Sequence, residues 1–185
     1  VRYLHTKATD SMKIAITGAT GFIGQQVLAR LSEEPVEIVC VGRRTEGWPC
    51  FGTYLTIPFE HTPEDIFERL GRPDLLIHLA WDSLTNYRAL RHFDTELPLH
   101  YEFVRRLVEG GLRRVLVTGT CFEYGAKYGA LHEGMVADPV NPYGFAKNAF
   151  RQQIEYLALE HGIQSTWARL FYMWGPGQSI GSLYS

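Results

Sequence analysis

The stretch Met12-Lys13-Ile14-Ala15-Ile16-Thr17-Gly18-Ala19-Thr20-Gly21-Phe22-Ile23-Gly24 decides how the rest of the chain is read. Its first half is a short, β-branched run that suits a strand. Its second half has glycine at 18, 21 and 24, and Phe22, Ile23, Val27, Leu28 and Leu31 follow at helical spacing. A strand that turns through glycines into a helix gathers free backbone N–H groups and the positive end of the helix dipole at one point, which suits a phosphate. Gly18 permits the sharp turn, Gly21 lets backbone N–H groups approach a pyrophosphate, and Gly24 lets the helix pack closely on the sheet. Glycines also serve plain turns, but the strand before and the helix after favour a dinucleotide site. Gly18, Thr20, Gly21, Phe22, Ile23 and Gly24 are its candidate residues.

Outward from this loop, strand and helix patterns alternate. Val36–Val41 and Tyr54–Ile57 read as strands, and Thr62-Pro63-Glu64 as a helix start with Thr62 as N-cap. Asp74–Leu79 is an almost wholly apolar strand, followed by a helix over about Asn86–Glu109 with a break or fresh start at Pro98. Val115–Thr118, Pro142–Glu160 and Gln164–Leu170 complete a strand, a helix and a strand. This alternation predicts an α/β fold: a Rossmann-type doubly wound parallel sheet with helices on both faces. Residues 1–11 are expected to be a disordered extension or tag, and 12–185 an NAD(P)-binding Rossmann domain.

Composition narrows the class. Of 185 residues, 45% are hydrophobic and 21% charged, as in soluble globular domains. A net charge of −2 gives no electrostatic case for nucleic acid or an anionic membrane. The cysteines at 40, 50 and 121 are odd in number and widely spaced, which fits neither a disulfide framework nor a zinc site. No apolar run approaches the ~18 residues of a membrane span, and residues 1–11 lack the apolar stretch of a secretory signal. A soluble, cytoplasmic protein is expected. Glycine makes up 18 of 185 residues, above the usual ~7%, so some glycines are placed for backbone reasons.

The end of the second strand bears on which dinucleotide binds. An NAD site places an acid about 20 residues on, for the ribose 2′-hydroxyl. Here that place reads Gly42-Arg43-Arg44, without an acid between Glu37 and Glu46. Two guanidinium forks suit a 2′-phosphate, so NADP is expected over NAD; the bland alternative is a solvated loop. Further on, Tyr143 and Lys147 stand four apart, on one helix face. Such pairs are common on helix surfaces, but a cationic Lys147 beside the phenol would lower the Tyr143 pKa towards working pH. Thr120 follows a buried strand at the carboxyl edge of the sheet, where open α/β folds bind ligands. His78 lies inside an apolar strand and is expected to be structural, and the histidines show no metal-ligand spacing.

The ordered motifs resemble an extended short-chain dehydrogenase/reductase of the NAD(P)-dependent nucleotide-sugar epimerase/dehydratase family. They are the glycine loop 17–24, Asp74-Leu75-Leu76-Ile77-His78-Leu79-Ala80, Thr118-Gly119-Thr120-Cys121-Phe122-Glu123-Tyr124-Gly125, Pro142-Tyr143-Gly144-Phe145-Ala146-Lys147 and Arg169-Leu170-Phe171-Tyr172-Met173-Trp174-Gly175-Pro176-Gly177. The resemblance implies that Thr120 hydrogen-bonds the reacting sugar oxygen, that Tyr143 is the general acid/base, and that Lys147 binds the nicotinamide ribose and tunes Tyr143. Leu79, Ala80 and Trp81 would line the cofactor's path, with Leu170 and Phe171 flanking the nicotinamide. Related 4,6-dehydratases carry Asp-Glu directly after the threonine. Here Cys121 and Phe122 stand there, and Glu123 comes one residue late, so a dehydratase is disfavoured. Cys121 is expected to be a small buried hydrophobe. Tyr172 replaces the Asn that contacts substrate in many members, and Glu60 is the acid nearest the usual adenine-contacting place.

The resemblance points to an NADP-dependent 4-ketoreductase of a 4-keto-6-deoxy nucleotide sugar, with a 4-epimerase as the alternative and a non-catalytic NADP-binding sensor as a second. A homodimer through helices near Phe93–Leu107 and Pro142–Glu160 is expected. The family's substrate-binding lobe would follow the last motif, so the sequence is expected to hold a cofactor domain without that lobe.

Overall fold

The computed structural model describes residues 11–43 and 51–178; residues 1–10 of the expected 1–11 extension, and Arg44, lie outside the described residues. Six strands, β1 (Lys13–Thr17), β2 (Glu37–Gly42), β3 (Thr53–Thr56), β4 (Leu75–His78), β5 (Arg114–Thr120) and β6 (Gln164–Leu170), form one sheet. All neighbours are parallel and the order is β3-β2-β1-β4-β5-β6. The expected doubly wound sheet is therefore present, with the reversal of strand order between β1 and β4, where ligands bind in such folds.

Strand residues alternate between two cores. Ala15, Val39, Val41, Leu76, Val115 and Val117 face Phe103, Leu107, Phe150 and Ile154, which come from α3 (Leu97–Gly110) and α4 (Pro142–His161). Ile14, Ile16, Ile38, Cys40 and Ile77 face the other way, towards Leu28 of α1 (Phe22–Leu31). No helix among the described residues is long and apolar enough to cross a membrane.

Two expected helix starts move. Phe59–His61 forms a 3-10 turn, and Thr62 donates its hydroxyl to the Phe59 carbonyl at 2.9 Å instead of capping a helix. The helix that follows, α2 (Ile66–Arg69), is one turn long and starts after Asp65. The second shift is at Asn86, where the chain makes turns. Helical structure begins with a π turn over His92–Glu96 that runs straight into α3, with Pro98 in the first turn of α3. Pro98 has no N–H to offer and its ring crowds the carbonyl four residues back. The Leu97 N–H instead reaches the His92 carbonyl, one residue further than in an α-helix.

Candidate functional site

The glycine loop is shaped as its spacing suggests. Gly18 has φ +70°, and a Cβ there would stand 2.6 Å from the Ala80 nitrogen, so β1 and the residues after β4 touch backbone to backbone. A Cβ on Gly24 would run into the Gly18 carbonyl and stand 2.6 Å from Ala19 Cα. Helix α1 starts at Gly21 without a side-chain cap, leaving its first N–H groups aimed outward.

Above this turn lies a cleft of about 670 Å³ lined by Gly18, Thr20, Gly21, Phe22, Ile23, Gly24, Arg43, Leu79, Ala80 and Trp81, with Glu60 and Asp82 also in its wall. The size and the glycine cradle fit a dinucleotide with its pyrophosphate on the helix N-terminus. Arg43 lines the cleft, but its Nη1 donates to Asp82 Oδ2 at 2.7 Å, from the end of β2 to the loop after β4.

A smaller pocket of about 210 Å³ continues from the cleft, sharing Ile23, Leu79, Trp81 and Leu84 with it. Thr120, Tyr143, Lys147, Leu170, Phe171, Tyr172 and Cys121 line it. Three local devices bring the reactive side chains together. Asn141 Oδ1 caps α4 by accepting from the Gly144 N–H at 2.8 Å, and Pro142 supplies the first helical residue. Gly144 lies so close to the Phe122 carbonyl that a Cβ would stand 2.6 Å from it, which lays the first turn of α4 against the 3-10 turn Cys121–Tyr124. The Tyr143 N–H donates to the Tyr87 carbonyl at 3.1 Å, and the Tyr143 ring packs on Tyr87 and His92.

The electrostatics differ from the expected phenol–ammonium pairing. Burial pushes the Tyr143 pKa up, and the hydrogen bond with Thr120 is the first influence opposing it. Burial pulls Lys147 down to about 7, opposed by the charge of Glu123. Although Tyr143 and Lys147 share a helix face, Lys147 Nζ sits over the rings of Trp81, Trp167 and Phe150, at 4.4, 5.4 and 5.7 Å from their centroids. Desolvation thus outweighs the mutual effect that i,i+4 spacing suggests. Tyr143 is held as a neutral acid.

Glu123, the acid one residue past the dehydratase position, is turned away from the pocket. It is fully buried, accepting from the Thr120 N–H at 2.8 Å, from Trp167 Nε1 at 3.0 Å and from Arg169 Nε at 2.7 Å. It braces Thr120 from behind and does not line the pocket. The signal was in the sequence: Thr120-Cys121-Phe122-Glu123 has the spacing of a capping box, and both of its hydrogen bonds form. Tyr87 and Asp82 carried no such signal, since both lie in irregular turns. Cys121 is only half-buried and lines the pocket, contrary to the buried hydrophobe expected; burial pushes its thiol pKa up.

His78 is structural, as expected. Its Nδ1 meets Thr17 Oγ1 at 2.9 Å and its Nε2 meets His100 Nδ1 at 2.8 Å. Burial, then the charges of His100 and Lys147, lower its pKa well below the usual value, so the ring is neutral.

Comparison with known proteins gives the family and agrees with the fold. The family model described as "NAD dependent epimerase/dehydratase family" matches residues 14–184. A dTDP-6-deoxy-L-talose 4-dehydrogenase (NAD(+)) of Aggregatibacter actinomycetemcomitans is 28% identical over 94% of this chain and 66% of its own length. A UDP-glucose 4-epimerase of Streptococcus mutans is 26% identical over 94% of this chain and 56% of its own. Among solved structures, the UDP-glucose 4-epimerase of Thermotoga maritima with UDP-glucose superposes with a TM-score of 0.78 at 24% identity, covering 91% of this chain and 58% of that one. The chain thus spans between about half and two thirds of the length of these relatives.

Proposed function

Because this chain belongs to the NAD dependent epimerase/dehydratase family, we propose that residues 12–185 are the dinucleotide-binding part of a nucleotide-sugar oxidoreductase, and specifically of a 4-ketoreductase acting on a 4-keto-6-deoxy sugar nucleotide. The observation that carries the proposal is the meeting of Thr120, Tyr143 and Lys147 in a pocket that opens into the glycine-lined cleft. Bound there, the nicotinamide cofactor would supply hydride to the sugar's carbonyl carbon. Gly18, Gly21 and the first turn of α1 would hold its pyrophosphate, Leu79, Ala80 and Trp81 its path, and Leu170 and Phe171 its ring.

The chain's own residues supply the proton. Thr120 and Tyr143 line the same pocket, and Thr120 opposes the rise of the Tyr143 pKa, so both can face one substrate oxygen. The Tyr143 phenol, kept protonated by burial, gives up its proton as that oxygen gains charge. Lys147, close to half-protonated near neutral pH, places positive charge in the same pocket and offsets the phenolate left behind. Leu84, Phe122 and Phe171 give the pocket an apolar wall, which suits a deoxygenated sugar carbon, and the 6-deoxy substrate in the name of the Aggregatibacter relative supports this choice.

NADP is proposed ahead of NAD on the strength of Arg43 in the cleft wall. A 2′-phosphate would have to take that guanidinium from Asp82, so Asp82→Asn should improve NADP binding relative to NAD, read by competitive titration. If Asp82→Asn leaves that ratio unchanged and NAD binds as well as NADP, the preference for NADP is refuted. A 4-epimerase is the second reading, favoured by the Streptococcus relative. Tyr156 and Leu159 lie exposed on α4 and support the proposed homodimer, which sedimentation tests.

Incubating the full-length protein with NADPH and a 4-keto-6-deoxy sugar nucleotide separates the two enzymatic readings. Net loss of the reduced nicotinamide's near-ultraviolet absorbance marks a reductase, and isomerised sugar without net cofactor consumption marks an epimerase. Tyr143→Phe should cut turnover at least ~100-fold; parental turnover in that variant refutes the assignment of Tyr143.

A further inference from the structure

Trp81 stands three residues beyond the carboxyl end of β4 and forms part of the wall of both the cleft and the pocket. Its indole is fixed at two places. Nε1 donates to His92 Nδ1 at 3.1 Å, and His92 Nε2 lies 3.0 Å from the Asn86 carbonyl. An indole N–H can only donate, so Nδ1 must be the bare nitrogen of His92 and Nε2 must carry the hydrogen. The indole also stacks on His100 at 4.6 Å with a 19° interplanar angle. His100 is itself buried between His78, at 2.8 Å, and Glu96, at 3.4 Å. Few rotamers are open to a ring held this way.

Of the three rings around Lys147 Nζ, the indole of Trp81 is the nearest. Glu123 is the carboxylate whose charge favours the ammonium, yet its oxygens are already engaged by Thr120, Trp167 and Arg169. A desolvated ammonium over an indole face gains more than it would in water.

We infer that Trp81 is a positioning residue for Lys147: its indole face, locked by His92 and His100, holds the ammonium in the catalytic pocket in place of a counter-ion. This rests on the proposed role of Lys147, but its test does not need turnover. Trp81→Leu keeps the site apolar and removes the π face, whereas Trp81→Phe keeps a π face and removes the N–H anchor. Competitive acylation of the full-length protein across pH, with the Lys147 peptide quantified by mass spectrometry, reads the titration midpoint of this amine. Trp81→Leu should lower it by about one unit, a tenfold change in the protonated-to-neutral ratio at fixed pH, and Trp81→Phe by a small fraction of that. An unchanged or raised midpoint in folded Trp81→Leu overturns the inference.

A second measurement uses the unsubstituted sequence and decides alone if Trp81→Leu does not fold. With 5-fluorotryptophan incorporated, the Trp81 resonance should titrate with Lys147, and the step should vanish in Lys147→Met. Persistence of the step in Lys147→Met overturns the inference. If the midpoint moves as expected but no sugar nucleotide is ever turned over, the positioning stands and the proposed activity falls.

Discussion

Replacing Glu123 by Gln removes one charge and changes almost no volume. Glu123 is fully buried and receives donors from Thr120, Trp167 and Arg169. A neutral amide can still accept from two of them, but it turns an NH₂ towards the third and leaves the Arg169 guanidinium without its anion. Removing one partner of a buried pair costs about 3–5 kcal/mol. Arg169 keeps a hydrogen bond to the Tyr124 hydroxyl at 3.2 Å, and its side chain is 13% exposed, so the lower end applies. A cost of about 3 kcal/mol in a domain of this size lowers Tm by about 6–12 °C. Circular dichroism melts of Glu123→Gln, Arg169→Leu and the double variant at neutral pH give the comparison. Removing both partners leaves neither member of this ion pair buried alone, so the double variant should lose clearly less than the sum of the two single losses. A Glu123→Gln melt within about 1 °C of the parent, or strict additivity in the double variant, refutes the reasoning.

Two further outcomes follow from the buried groups and the loop. Burial lowers the Lys147 pKa from 10.5 to about 7, so between those values the unfolded chain binds more protons and stability rises with pH. Lys147→Met should therefore raise Tm most at or below pH ~7, with the gain over the parent shrinking as pH climbs towards ~10; a gain independent of pH contradicts this. Gly24→Ala puts a methyl against the Gly18 carbonyl and Ala19 backbone, which cannot yield as a side chain could. It should weaken dinucleotide binding at least ~10-fold by calorimetry, because a displaced cradle loses backbone hydrogen bonds to the phosphates.

The parts of the site that are local in sequence were legible there. The spacing of Gly18, Gly21 and Gly24, the i,i+4 relation of Tyr143 and Lys147, and the position of Thr120 at a strand end all follow from backbone periodicity. What periodicity could not supply was the company these side chains keep. Lys147 faces Trp81, 66 residues away in the chain, rather than the phenol one turn before it, and desolvation then sets its protonation. Glu123 reaches donors on β6, 44 and 46 residues on. Thr62 had a good N-cap composition, but the 3-10 turn before it claimed its hydroxyl.

The π turn at His92–Glu96 gives Pro98 an influence well beyond its own contacts. An α-helical residue turns the chain by about 100°, so tightening that turn into α geometry would rotate everything before it relative to α3. His92 would leave the indole of Trp81 and the ring of Tyr143, while His100 and Phe103, further along α3, would stay in place. A proline that touches neither substrate nor cofactor thereby sets the angular phase of the segment that walls the pocket. Single-residue insertions or deletions between Asn86 and Pro98 are for that reason more disruptive than their surface location suggests.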